Sequence, residues 1–113
     1  MLREGEVAGW ERDVIDASAA RSLPAAASEE LVARARRGDA SAFDALARTH
    51  IDHSYRLALA ILRSETNARD AVQDAYLQAW RQLPGLRDAA SFDAWLDRIG
   101  INACRMQRRH HRR

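Results

Sequence analysis

Apolar residues recur at spacings of three and four along one long stretch: Phe43, Leu46, Ala47, Ile51, Tyr55, Ala58, Leu59 and Leu62. A helix brings a residue back to the same face about every 3.6 positions, whereas a strand alternates every two. The stretch therefore reads as an amphipathic helix with one buried stripe. The rest of the chain agrees, since Ala, Leu and Arg are abundant while Pro occurs twice and Gly five times in 113 residues. These are helix formers with few breakers, so long sheets are disfavoured and an all-α fold is expected. The length suits one domain of modest core, a compact helical bundle, and argues against a two-domain enzyme.

Stop and start signals divide the chain into about four helices. Residues 1–27 read as a weakly ordered N-terminal extension: Val7, Trp10 and Val14 fall at helical spacing, but an Ala/Ser-rich run broken by Pro24 follows. The folded domain is expected over 28–113. Ser28 is the expected cap of a first helix that turns Leu31, Val32 and Ala35 inward and stops at Gly38. Asp39 then caps the long second helix described above. A turn is expected over 63–66, with Asn67 and Asp70 as a capping pair for a third helix that buries Ala71, Val72, Ala75, Tyr76, Ala79 and Trp80 and ends at Pro84-Gly85. After a loop, Ser91 is expected to cap a fourth helix whose inward set is Phe92, Trp95, Leu96, Ile99, Ala103 and Met106.

Charge is distributed unevenly. All 18 basic residues are Arg, against 10 Asp and 6 Glu, for a net +2. Residues 1–33 carry three Arg and seven acids, residues 34–97 nine of each, and residues 98–113 six Arg and no acid. A polyanion would meet this chain at its C-terminal end. Arg98, Asn102, Arg105, Arg109 and Arg112 follow steps of four and three, which draws a cationic ridge along the fourth helix beside its apolar stripe. Arg suits phosphates and guanine edges because its planar fork donates two parallel hydrogen bonds, and Asn102 adds a side chain able to read a base edge. The bland alternative is a solvated helix end whose arginines offset the C-terminal dipole.

Signals for catalysis are weak. His50 and His53 are spaced i, i+3, but Asp52, the nearby third ligand, points off their face, so solvated or half-buried histidines are expected and no metal. His110 and His111 sit among arginines that repel a cation. No Gly-rich phosphate loop and no nucleophile with a spaced base is present, so neither enzymatic activity nor a cofactor is expected. Cys104 is alone, which fits a reducing compartment. No stretch approaches the roughly 18 apolar residues that span a bilayer, and Met1–Asp16 lacks the apolar core of a signal peptide. A cytoplasmic protein without membrane insertion is expected. On the third helix, Asp70, Gln73, Asp74 and Leu77 share an outward face, which periodicity alone reads as solvated with a stray Leu.

The residues from about Glu30 to Arg113 resemble region 2 of the sigma-70 family, specifically the extracytoplasmic-function (ECF) sigma factors of bacterial RNA polymerase. The resemblance is carried by LVARARRGDASAFDALARTH (31–50), ARDAVQDAYLQAWRQLPGLR (68–87) and SFDAWLDRIGINACRMQRR (91–109). It implies a four-helix domain that docks on the clamp helices of the polymerase's largest subunit and opens promoter DNA at the minus-ten element. Asp70 and Gln73 match the Asp and Gln of the family's third-helix motif, so Asp70, Gln73, Asp74 and Leu77 become the expected core-polymerase surface, acids toward a basic partner and Leu77 as a small apolar anchor. The segment from Leu86 to Ser91, with Arg87, Asp88 and Ser91, corresponds to the family's loop for a base flipped out of the non-template strand. Arg98, Asn102, Arg105, Arg108, Arg109 and Arg112 are the expected DNA-binding residues of the fourth helix, some setting position on phosphate rather than reading sequence. An anti-sigma factor is a further partner the resemblance admits.

The chain departs from the family pattern at three places: Arg69 stands where a Glu usually precedes the third-helix Asp, Asp97 where an aromatic often follows the Trp-Leu pair, and Met106 where an acid often lies four residues beyond the Asn. In the family a linker and a helix-turn-helix domain that reads the minus-35 element follow this region, and the sequence ends at Arg113 before that point. The alternative function is a degenerate sigma-like helical module that binds a protein partner without melting DNA.

Overall fold

The computed structural model describes residues 25–111. Among the described residues it is all-helical, with α1 over Ala25–Arg36, α2 over Ala40–Leu62, α3 over Glu65–Gln82 and α4 over Phe92–His111, the last two joined through short 3-10 turns at Leu83–Gly85 and Ala89–Ser91. No described helix is long and apolar enough to cross a membrane. The expected N-terminal extension lies outside the described residues up to residue 24. The helix following it begins at Ala25, so Ser28 stands inside α1 and does not cap it. Three consecutive alanines, the best helix formers, carry the helix back to the residue after Pro24.

The junction between α1 and α2 is built as expected. Gly38 adopts φ +95°, a conformation open to glycine at little cost. It allows Gly38 N to donate to Ala35 O at 3.0 Å and Asp39 N to donate to Arg34 O at 3.1 Å, which closes the last carbonyls of α1. Asp39 then caps α2, its Oδ1 accepting from the backbone of Ser41 at 3.1 Å and of Ala42 at 3.2 Å. Its Oδ2 accepts from Arg34 Nη2 at 2.8 Å. The Ser41 hydrogen bonds first, then Arg34, hold the Asp39 carboxyl down at about 2.

The next junction differs from expectation. Ser64, not the pair Asn67 and Asp70, caps α3, its side chain accepting from Asn67 N at 3.3 Å. The turn is shorter than four residues because Arg63 itself takes a left-handed conformation (φ 54°) and donates its N–H to Leu59 O at 2.8 Å. A non-glycine residue in that region is a signal that composition does not carry. Ser91 is likewise not the cap of α4. It ends a 3-10 turn capped by Asp88, and its hydroxyl donates to Asp88 Oδ2 at 3.2 Å.

Four alanines of α3, at 68, 71, 75 and 79, are essentially inaccessible to solvent. Their small side chains let the neighbouring helices approach closely, and α3 packs most extensively against α4 and α2. Around them lie Val32, Leu46, Leu83, Phe92, Leu96 and Ile99, so each helix contributes the face its periodicity marked. Two inward assignments fail. Ile51 is 42% exposed because the neighbouring His50 takes the interior position, and Met106 is 56% exposed because burial on α4 stops at Cys104. Beyond that point the helix runs past the bundle with Arg105, Arg108, Arg109 and His110 all exposed.

Candidate functional site

The outward face of α3 is the first surface. Asp70, Gln73, Asp74 and Leu77 are all exposed, and their i, i+3, i+4, i+7 spacing puts them on one stripe of that helix. Leu77 is 52% exposed, a large side chain that folding leaves uncovered. It borders an open groove of about 720 Å³ between α2 and α3, walled by Phe43, Ile51, Tyr55, Val72, Tyr76 and Trp80. Phe43 and Trp80 meet across it with ring centroids 5.2 Å apart. Gln73 and Arg69 line the same groove. A mixed face of acids and amide thus adjoins an apolar trough, the composition of a reversible protein interface. Sequence periodicity counted Ile51, Tyr55 and Trp80 as core and so missed the trough, because the half of each residue that faces a neighbour and the half that faces an open groove give the same pattern.

The second surface begins at the connection from α3 to α4. Leu86 is buried and fastens the loop to the core, while Arg87 and Asp88 remain exposed. Asp88 folds the loop back on itself, its Oδ1 accepting from Ala90 N at 3.0 Å. The result is a notch of about 320 Å³ that brings together Arg87, Asp88, Ser91, Trp95 and Arg98. Four of these five were expected site residues, and Trp95 was expected only as core. Its place one turn after Ser91 and three residues before Arg98 is the signal that could have marked it.

From Arg98 the ridge continues outward. Asn102, Arg105, Arg108 and Arg109 are exposed along α4, away from the notch, and Arg112 lies outside the described residues. Within the described residues no salt bridge engages Arg98, Arg105, Arg108 or Arg109. The acids of α4 point elsewhere: Asp93 Oδ1 lies 2.6 Å from His50 Nε2 and Asp97 Oδ2 lies 3.2 Å from His53 Nε2, both on α2. The two carboxylates are engaged by histidines of α2 and leave the ridge a cationic surface. His50 and His53 therefore meet separate acids, and among the described residues no group of three His, Cys, Asp or Glu is placed to hold a metal. Half-buried was too mild for His50, which is 3% exposed. Cys104 is buried, and burial pushes its thiol up, which leaves it inert as a nucleophile.

Comparison with known proteins identifies the family. Residues 46–113 match the sigma-70 region 2 family. The ECF RNA polymerase sigma factor SigM of Mycobacterium tuberculosis is 44% identical over 75 residues, which cover 66% of this chain and 38% of that protein. The RNA polymerase sigma-H factor of Pseudomonas aeruginosa is 34% identical over 77 residues, 68% of this chain and 40% of that protein. The ECF RNA polymerase sigma-E factor of Escherichia coli K12 is 31% identical over 77 residues, 66% of this chain and 39% of that protein. The matches thus span about two fifths of these relatives' lengths, and no solved structure gives a significant match. With the family's motifs on four packed helices, this chain belongs to the sigma-70 region 2 family, in its ECF branch.

Proposed function

We propose that the chain is the part of an RNA polymerase sigma factor that binds core polymerase through α3 and recognises and melts the promoter minus-ten element through the notch and α4. The observation that carries this reading is the notch itself: an aromatic wall, a short polar loop and two arginines, placed where a free cationic ridge begins. Such a site suits a single unstacked base. Taking a base out of a duplex costs a few kcal/mol, and stacking on an aromatic side chain returns about 1–3 kcal/mol. Hydrogen bonds from Arg87, Ser91 and Arg98 supply the remainder and the sequence preference. Arg105, Arg108 and Arg109 then hold the adjoining phosphates, which sets register without reading bases. Arg112 continues the same stripe in sequence.

On the other face, Asp70 and Asp74 suit a basic partner, Gln73 a hydrogen-bonding one, and Leu77 an apolar side chain, as the clamp helices of the largest subunit would offer. The two surfaces occupy different helices, so one domain holds polymerase and strand together. A titration tests the reading: a fluorescent minus-ten non-template strand is mixed with the chain bound to core polymerase. Saturable, sequence-dependent binding is expected. Binding to core polymerase with no strand preference would contradict promoter recognition and favour a protein-interaction module instead.

A further inference from the structure

Among the described residues His50 is the one buried polar side chain, 3% exposed, and both of its ring nitrogens have partners. Nδ1 lies 2.8 Å from Leu46 O, a carbonyl that only accepts, so this nitrogen carries a hydrogen. Thr49 Oγ1 donates to the same carbonyl at 2.8 Å and sits 2.9 Å from Nδ1, which fixes that edge of the ring to α2 from two sides. The other edge reaches across the bundle, Nε2 lying 2.6 Å from Asp93 Oδ1. The flat of the interaction continues through aromatics. His50 packs edge-on against Phe92, centroids 5.3 Å apart at 79°, and Phe92 packs on Trp95 at 5.8 Å. Trp95 is the wall of the notch. A fixed imidazole on α2 is thus linked by direct contacts, polar and apolar, to the first turn of α4.

We propose that His50 is a positioning residue for base capture: by gripping Asp93 and bracing Phe92 it sets the orientation of the first turn of α4, and with it the placement of Trp95 and Arg98 in the notch. The inference rests on the reading of the notch as a base site. Neither His50 nor Asp93 lines the notch, so both act on a bound base only through other residues. A free first turn would present the indole in several orientations, and a base would have to select among them at a cost in affinity. The His53–Asp97 pair, one turn further along both helices, ties the same two helices more weakly at 3.2 Å and with both side chains partly exposed.

The test uses the full chain bound to core polymerase and a minus-ten strand carrying 2-aminopurine at the captured base. Asp93→Ala and His50→Leu are each expected to weaken strand binding roughly fivefold, the scale of coupling through packed neighbours. Core polymerase retention is expected to stay unchanged. Asp93→Asn is expected to bind like the parent, because its side-chain amide keeps a hydrogen bond to Nε2, its NH2 donating to a bare nitrogen or its oxygen accepting from a protonated one, and the double variant His50→Leu/Asp93→Ala is expected to be no weaker than either single. Asp93 is 68% exposed, so its variants carry the test even where His50→Leu fails to fold. Asp93→Ala binding the strand as the parent does, Asp93→Asn as defective as Asp93→Ala, or parallel loss of strand and polymerase binding would each overturn the inference. Absence of saturable strand binding by the parent chain would instead overturn the base-site reading, and the inference with it.

Discussion

The outward face of α3 and the ridge of α4 differ in the kind of force each exerts. On α3, Asp70 and Asp74 share an exposed stripe with Gln73 and Leu77, and the latter two border an apolar trough whose walls include Phe43, Tyr76 and Trp80. Its apolar part attracts through area removed from water, which acts at contact and responds weakly to salt, while its acids add charge complementarity. On α4, Arg98, Arg105, Arg108 and Arg109 stand free of salt bridges within the described residues, and the helix's acids pair with histidines of α2. That surface attracts over about 8–10 Å and is screened by ions. In the proposed reading one bundle carries a short-range grip for a protein and a long-range one for a polyanion, and the notch at the connection from α3 to α4 adds a recess at the start of the cationic side.

The largest expected effect removes the core residue beneath the notch. Phe92 is 2% exposed and carries Trp95, so Phe92→Ala is expected to cost about 3–5 kcal/mol of stability, measured by chemical denaturation. Next, Asp70→Arg combined with Gln73→Ala is expected to lower core polymerase retention roughly tenfold or more, since a like charge replaces a complementary one. Its salt slope on free DNA stays at the parent value. Unchanged retention would remove α3 from the polymerase interface.

Arg105→Ala with Arg109→Ala sharpens the other side. Each lost phosphate contact is expected to flatten the log-log dependence of DNA affinity on salt by about 0.7–0.9, with polymerase retention untouched. An unaltered slope would take the ridge out of the DNA interface. The smallest effect lies outside both surfaces, at Asp39. Its carboxyl sits at about 2 in the fold against an ordinary value of 3.8, so the ionised group stabilises the fold above about pH 4, and that contribution is lost as pH falls through about 2. Asp39→Ala is therefore expected to melt below the parent at pH 7, with the gap narrowing between pH 4 and pH 2 in thermal scans.

Much of this was legible in residue order. The stripes of Val32 and Ala35, Leu46 and Ala58, Ala71 to Ala79, and Phe92 to Ala103 are buried where their spacing put them, and the Gly38-Asp39 junction is built as read. The misses have a common cause. Ser28, Asn67 with Asp70, and Ser91 have the residue types of caps, yet capping depends on backbone conformation, and Arg63 in a left-handed turn and Asp88 on a 3-10 turn decide it instead. Ile51 and Met106 kept the helical period but lacked a neighbour to cover them. On the site side, the exposed stripes of α3 and α4 follow from period alone. The trough beside Leu77, Trp95 as a wall, and the cross-helix partners of His50 and His53 depend on which helices meet, and no spacing within one helix encodes that.

The central claim is that the strand is read at the notch and merely held at the ridge. The most direct measurement compares a minus-ten strand with a scrambled strand of equal length, each titrated against the polymerase-bound chain at low and at raised salt. Both affinities are predicted to fall as phosphate contacts are screened while their ratio persists. A ratio near one at either salt would mean that the chain treats the strand as a polyanion, and the account of the notch would be wrong.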